Sequence, residues 1–245
     1  MEPRTLVISD VDGTLLGDDD ALLRFYAWRV VQGPRVVLAY ASGRFCSSLA
    51  ASVKETILPE PDYLIGGVGT QLRRFDGCES VGEWERVPIE SWNGPKVRRV
   101  LSTHPRLMPQ PDVFQSERKV SYYYYNAAPE ELAKVVQVLQ GAGIIADVIY
   151  SSARDLDVVP HGVNKGSAAA YLARRLGVGR VIACGDTGND APLMCQGFCG
   201  VVVGNALPEL RAHCSERIYL SPHTHADGVL DGIRYWSERQ ERSGR

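Results

Sequence analysis

Little net charge separates the two signs in this chain: 27 Lys and Arg stand against 29 Asp and Glu, a formal charge of -2. That balance removes the electrostatic case for nucleic acid or an anionic membrane as the main partner. No apolar run approaches the ~18 residues of a membrane span, and the opening MEPRTLVISD lacks the apolar stretch of about 7–15 residues found in secretory signals. Internal repeats and low-complexity tracts are absent as well. The 6 cysteines (Cys46, Cys78, Cys184, Cys195, Cys199 and Cys214) include no C-x-x-C pair, so a disulfide framework is not indicated and buried free thiols are expected. A zinc site built from Cys214, His223 and His225 would lack its cysteine pair. What remains is an expectation of a cytoplasmic globular protein, either one large domain or a domain with a sizeable insertion.

What is present is a rhythm of apolar runs separated by helical stretches. Thr5–Asp10, Arg35–Ser42, Tyr63–Val68, Arg180–Asp186 and Gly200–Gly204 read as strands without polar alternation, as suits a parallel sheet covered on both faces. Asp20–Val31 carries a helical stripe at Leu22, Leu23, Tyr26, Ala27 and Val30, and Ser47–Ile57 is a second helix. The acidic triplet Asp18-Asp19-Asp20 reads as a solvated helix start. Between these halves the texture changes. Lys119–Asn126, Ile144–Ser151 and Asp155–Val159 read as strands, and Pro129–Gly141 as a helix with Pro in its first turn, Glu130 and Glu131 at its positive end and Gly at its close. The expected architecture is therefore α/β: a Rossmann-like doubly wound parallel sheet core with an inserted α+β cap domain. Residues 1–82 and 161–245 form the core, and residues 83–160 the cap.

The chemistry concentrates at strand ends. Asp10-Val11-Asp12-Gly13-Thr14 closes the first strand, where residues i and i+2 share a face and both carboxylates can converge. In open α/β sheets ligands bind beyond the carboxyl ends of the strands, although Asp-Gly is equally a common turn pair. A second acidic pair, Asp186 and Asp190 in GDTGND, follows another apolar strand and would lie one helical turn apart. Four carboxylates at two strand ends would repel one another unless a cation lay among them, and hard oxygen donors suit Mg²⁺. Two further features favour an anion. Ser42-Gly43-Arg44 offers a hydroxyl and exposed amides after the second strand. Lys165 opens an amphipathic helix, where its ammonium opposes the helix dipole unless it serves an anionic ligand.

In this order, DVDGT, Ser42 in SGR, Lys165 and GDTGND, the chain resembles the haloacid dehalogenase superfamily of phosphohydrolases. PDYLIGGVGT, YSSARDLDVVP, NKGSAAAYL and GVVVGNALPEL are similar to its sucrose-phosphate phosphatase branch, mannosylfructose-phosphate phosphatases included, and the resemblance runs from Leu6 to Trp236. It implies catalytic roles for Asp10, Asp12, Ser42 and Lys165. Asp10 would be the nucleophile that forms an aspartyl-phosphate, and Asp12 the acid and then the base. Mg²⁺ would be held by Asp10, the Asp12 carbonyl and Asp186, with Asp190 behind them. Members of the branch often carry Asn at the position of Gly13, Thr at that of Ser42, and Glu-Ile where this chain has Gln71-Leu72; the last difference bears on contacts to the sugar.

A cap closing over a sugar should offer hydroxyl-bonding groups and aromatic faces. Lys119, Tyr122 to Tyr125, Arg154, Asp155 and Asp157 are the cap candidates, with Tyr123 and Tyr125 on one strand face and Tyr122 and Tyr124 on the other. Ser42, Gly43, Arg44, Lys119, Asp155 and Asn189 make up the expected substrate-binding set. The glycine-rich segment at 66–70 fails the dinucleotide pattern, because position 72 is Leu, and reads instead as a tight backbone approach or a cap hinge. The expected reaction is Mg²⁺-dependent release of phosphate from a disaccharide phosphate, sucrose-6-phosphate or mannosylfructose-6-phosphate. Another sugar or glycosyl-polyol phosphate, or a phosphomutase reaction, is the alternative. A signalling receiver domain, at ~120 residues and without a cap, fits less well. The expected partners are a small-molecule sugar phosphate and a glycosyltransferase that makes it, and the expected state is a monomer.

Overall fold

The computed structural model describes residues 5–85, 92–213 and 215–243. In chain order the elements are β1 (Thr5–Ser9), α1 (Asp19–Gln32), β2 (Val36–Ala41), α2 (Cys46–Glu55), β3 (Tyr63–Gly66) and β4 (Gln71–Arg74). Then follow α3 (Gly94–Leu101), β5 (Met108–Pro109), β6 (Val120–Tyr123), α4 (Pro129–Gly141), β7 (Ala146–Ser151) and β8 (Asp155–Pro160). The chain closes with α5 (Lys165–Leu176), β9 (Arg180–Gly185), α6 (Ala191–Met194), β10 (Cys199–Val202), α7 (Pro208–Arg211), β11 (Ile218–Leu220) and α8 (His225–Ser243).

The apolar runs become a seven-stranded sheet in the order β11-β10-β9-β1-β2-β3-β4, parallel except for the edge strand β4. Continuous hydrophobicity is what a strand needs when helices cover both faces, and β1 shows how it is used. Val7 packs with Leu22 and Phe25 of α1, Leu49 of α2 and Ile233 of α8. Leu6 and Ile8, pointing the other way, pack with Ala168, Ala169 and Leu172 of α5. Neighbouring residues of one strand thus feed two separate cores. Strand order reverses around β1: the chain moves outward through β2 and β3, then returns to place β9 on the other side. The carboxyl ends of β1 and β9 flank this switch point, where a crevice for a ligand forms.

Local chemistry sets the helix starts. Asp18 caps α1 by accepting from Ala21 N–H, and Asn164 caps α5 by accepting from Ser167 N–H. Those caps decide which residue of α5 comes first, and it is Lys165.

The second sheet, β5-β6-β8-β7, is wholly antiparallel. Helices α3 and α4 pack on it through Val97, Leu101, Val135 and Leu139, which meet Tyr122, Tyr124, Leu156 and Val158. The tyrosine run divides by strand parity: Tyr122 and Tyr124 are buried in this core, while Tyr123 and Tyr125 stack on each other outside it. Helix α3 and strand β5 are absent from the sequence reading, as are β11 and α8. Strands of two or three residues carry no periodicity to detect, and Gly228 and Gly232 dilute the helical pattern of α8. Trp84 rests on the core side, its ring 5.3 Å from Tyr171 of α5. Residues 86–91 and Cys214, both part of the sequence expectations, lie outside the described residues. Of the other cysteines Cys46 and Cys184 are buried as expected, but Cys195, which follows the last residue of α6, is exposed.

Helix α5 approaches α6 so closely that a Cβ on Gly166 would overlap the Pro192 carbonyl oxygen. Intrinsic propensity favours Ala over Gly in a helix by about 1 kcal/mol, but this overlap reverses the sign. Gly166→Ala is expected to lower stability by about 1–3 kcal/mol, read as an earlier urea midpoint at unchanged m-value; a later midpoint would show that the helices separate at little cost.

Candidate active site

Strands β1 and β9 lie side by side with Ser9 opposite Cys184, and Asp10 N–H continues the ladder by donating to the Cys184 carbonyl at 3.0 Å. Two sequence-distant strand ends therefore stop at the same height, and the acidic groups that follow them share one space. One oxygen each from Asp10, Asp186 and Asp190 lie within 4.8 Å of one another, and all three residues are buried. Lys165 enters from the first position of α5 with its side chain fully buried. Its Nζ donates to Asp10 Oδ1 at 2.8 Å, to Asp190 Oδ1 at 2.7 Å and to Asn189 Oδ1. An ammonium has three protons, and these contacts use them all.

Asp190 is spent on structure. Its Oδ2 accepts from the backbone N–H groups of Asp186 and Thr187, while Oδ1 holds Lys165. Asp186 Oδ1 accepts from the Thr14 hydroxyl at 2.8 Å, which ties the DVDGT turn to the GDTGND loop. Gly13 makes that approach possible. Its φ is +82°, and a Cβ there would overlap Asp186 Oδ2. Asp12 does not join the carboxylate cluster. Strand β1 ends at Ser9, before the shared-face geometry could reach it, and the Asp12 side chain is 54% exposed, 3.0 Å from Arg44 Nε. Ser42 follows β2, its Oγ accepting from Arg44 N–H at 3.1 Å, and Gly43 lies beside it on the same wall.

Above this floor lies a cavity of about 380 Å³ between core and cap. The core contributes Asp10, Asp12, Ser42, Gly43, Arg44 and Asn189; the cap contributes Lys119, Tyr123, Arg154, Asp155 and Asp157. Every substrate-binding candidate from the sequence thus borders one space. The cap groups arrive already paired. Lys119 Nζ is 3.0 Å from Asp157 Oδ1 and 5.4 Å from the centre of the Phe45 ring. Asp155 Oδ1 accepts from Gln110 Nε2 at 2.9 Å and from Arg154 Nε at 3.1 Å. Gln110 and Phe114 also line the cavity and were missed, because Gln110 directly follows the two-residue β5 and Phe114 closes a single 3-10 turn, both too short to carry a period. Phe45, which directly follows the SGR motif, is not among the cavity's lining residues and meets the site only through Lys119. Conversely, Gln71-Leu72 does not contact the sugar side, contrary to the expectation from sequence: Gln71 Oε1 accepts from Cys46 N–H at the start of α2, and Leu72 is buried in the core. The segment at 66–70 is a tight turn packed against the start of α5.

The cluster carries more negative charge than its one ammonium can balance. Burial pushes the Asp10 carboxyl well above its ordinary range; Lys165 pulls it down, and Asp190 and Asp186 push it up again. Asp186 rises from 3.8 to about 6, first through burial and then through Asp190. For Lys165 burial works against the charged form, but Asp10 and Asp190 outweigh it and raise its pKa, so the ammonium persists. Three buried carboxylates against one ammonium, all with oxygen donors, fit a hard divalent cation such as Mg²⁺. Asp10 and Asp186 have coordination capacity to spare, whereas both oxygens of Asp190 are engaged. The arrangement sets a cluster of buried carboxylates beneath a polar cavity.

Comparison with known proteins agrees with this geometry. The family described as sucrose-6F-phosphate phosphohydrolase matches residues 3–237. The mannosylfructose-phosphate phosphatase of Agrobacterium fabrum is 37% identical over 243 residues, covering 96% of this chain and 98% of that one. Sucrose-phosphatase 1 of Nicotiana tabacum is 30% identical over 96% of this chain, which spans 59% of that longer relative. The sucrose-phosphatase of Synechocystis sp., solved in complex with sucrose and phosphate, superposes with a TM-score of 0.90 at 31% identity, covering 96% of this chain and 98% of that one.

The repulsion among these carboxylates can be measured without turnover. A carboxyl whose folded pKa is raised contributes stability below its unfolded value and loses it as pH rises through the folded value. In chelator, ionised Asp186 should therefore cost the native state up to about 3 kcal/mol above about pH 6. Asp186→Asn, which keeps an acceptor for Thr14, is expected to be more stable than wild type in EDTA at pH 7, with the gap closing towards pH 4. MgCl₂ should raise the Tm of wild type more than that of the variant. An unchanged gap across pH would show that Asp186 is not electrostatically frustrated.

Proposed function

The chain belongs to the sucrose-6F-phosphate phosphohydrolase family, and on that premise we propose that it hydrolyses the phosphomonoester of a disaccharide phosphate, with Asp10 as the nucleophile. The observation that carries this reading is the fully buried Lys165 ammonium bound to Asp10 at the floor of a cavity roofed by polar cap residues.

The proposed steps assign a role to each group at the cavity floor. Asp10 attacks phosphorus in line, so that a carboxylate oxygen–phosphorus bond forms as the bond from phosphorus to the sugar oxygen breaks. Asp12, at the cavity surface and oriented by Arg44, donates a proton to the departing sugar oxygen. It then takes a proton from the water that attacks the aspartyl-phosphate, and Asp10 is regenerated as phosphate leaves. Ser42 and the neighbouring backbone amides bind the transferring oxygens, and Lys165 holds Asp10 in the attacking orientation. Mg²⁺, held by Asp10, the Asp12 carbonyl and Asp186, would offset the charge between the nucleophile and a phosphate dianion.

Substrate class is read from the cap. A cavity of about 380 Å³ lies within the range of ~300–1,000 Å³ that accommodates small ligands. Its upper wall consists of charged and amide groups that can exchange their mutual hydrogen bonds for those of sugar hydroxyls, with Tyr123 and Phe114 as apolar faces. The named relatives act on mannosylfructose phosphate and on sucrose phosphate. A disaccharide of this kind, phosphorylated on its fructosyl unit, is therefore the proposed substrate.

A steady-state screen of sucrose-6-phosphate, mannosylfructose phosphate, trehalose-6-phosphate, glucosylglycerol phosphate and hexose phosphates tests the reading. The two fructosyl disaccharide phosphates should give the highest kcat/KM, with activity lost in EDTA and restored by Mg²⁺. Asp10→Asn should reduce phosphate release by about a thousandfold or more; substantial residual turnover would remove it as nucleophile. Lys119→Ala and Asp155→Ala should raise KM for the preferred disaccharide phosphate by about tenfold while changing p-nitrophenyl phosphate by no more than about twofold. Equal losses on both substrates would count against a role in sugar recognition.

A further inference from the structure

Glu209 lies in the first turn of α7, on the core, and is half-buried. Its Oε1 accepts from Gly188 N–H at 2.9 Å, in the loop that carries Asn189 and Asp190. The same oxygen accepts from Ser152 N–H at 3.1 Å, in the cap turn that joins β7 to β8. A single carboxylate oxygen thus bridges the two halves of the molecule at the edge of the cavity. The turn it grips is unusual. Ser152 and Ala153 both have left-handed backbones, with φ of +56° and +48°, a shape that costs free energy unless something outside the turn holds it. This turn presents Ser151, Arg154 and Asp155 to the cavity. Alongside it, Asn189 reaches both ways: Nδ2 lies 3.4 Å from Ser151 Oγ of the cap, while Oδ1 accepts from Lys165.

Each end of the bridge also has anchors of its own. The core loop is already secured from within, since Asp190 Oδ2 accepts from Asp186 and Thr187 N–H and Asp190 N–H donates to the Thr187 carbonyl. Loss of Glu209 therefore leaves the loop its own anchors. The cap turn is tied within the cap as well, by Arg154 N–H to the Ser151 carbonyl, Tyr124 N–H to the Arg154 carbonyl and Asn126 N–H to the Ala153 carbonyl, but its tip meets the core through Ser152 N–H, which donates to Glu209. We propose that Glu209 is a positioning residue that seats the β7–β8 turn of the cap on the core, and so determines selectivity for substrates whose leaving group reaches the cap. This rests on the phosphatase reading above. It adds a residue that touches neither phosphate nor sugar, acting through the placement of Ser151, Arg154 and Asp155.

The test compares wild type, Glu209→Ala and Glu209→Gln on the preferred disaccharide phosphate and on p-nitrophenyl phosphate, whose leaving group is too small to use the cap. Glu209→Ala should raise KM for the disaccharide phosphate by about tenfold and leave kcat/KM for p-nitrophenyl phosphate within about twofold. Glu209→Gln, whose amide oxygen can accept from both N–H groups, should stay near wild type. If Glu209→Ala does not fold, Glu209→Asp keeps the charge but is too short to span both amides, and should show the same split. Amide hydrogen exchange reads the bridge without turnover: the Ser152 amide should exchange about tenfold faster in the Ala or Asp variant. Equal losses on both substrates, no loss on either, or unchanged exchange at Ser152 would each overturn the proposal. A wild-type protein that releases phosphate from no sugar phosphate, yet shows the exchange difference, would instead overturn the phosphatase reading and leave the bridge standing.

Discussion

A lysine ammonium enclosed without solvent among carboxylates is the constraint around which this molecule is arranged. Removing such a charge from water is unfavourable by several kcal/mol unless its partners are placed well. Here the placement is shared among three parts of the chain: Asp10 after β1, Asn189 and Asp190 after β9, and Lys165 itself at the head of α5. The Asn164 cap sets where α5 begins, the close approach of α5 to α6 sets its depth, and the parallel register of β1 with β9 sets the height of the acids. An error in any one of these would leave a buried charge unpaired. The same cluster holds three carboxylates against one ammonium, a donor set that fits a hard cation.

Core and cap divide the work along chemical lines. The core groups that border the cavity are those whose charge and geometry suit a phosphoryl group, and they stand on rigid strand ends and helix starts. The cap groups suit hydroxyls, and they stand on an antiparallel sheet that owes its stability to a separate hydrophobic cluster. Such an arrangement lets the cap side of the cavity vary without disturbing the carboxylate cluster of the core. It also explains why Lys119 and Asp157, or Arg154 and Asp155, are paired with each other: a charge at a cavity wall needs a partner both before and after a ligand binds.

Legibility in the sequence followed the length and regularity of each signal. The parallel core was readable because five long apolar runs can be buried only between two helical layers. The parity of the tyrosine run was readable because strand geometry alternates by one residue. Helix α3 was not, since Gly94 and Pro95 open it inside a polar stretch, and β5 was too short to have a period. The cap side of the cavity suffered most: Gln110 and Phe114 reach it from a two-residue strand's end and a single 3-10 turn, where no pattern marks a direction. Gln71 shows the opposite error, a residue beside a glycine-rich turn that proves to cap α2 rather than face a ligand.

By itself the sequence determined which chemical groups the protein could bring to a reaction and at which strand ends they would be mounted. Those properties depend on short-range periodicity and on residue type. Tertiary structure alone decided how the groups were shared out. It engaged both oxygens of Asp190, left Asp12 at the surface beside Arg44, and put one oxygen of Glu209 between the cap and the core. The reason is that hydrogen-bond partners such as Thr14 and Asp186, 172 positions apart, are chosen by the packing of whole layers, to which no local pattern refers.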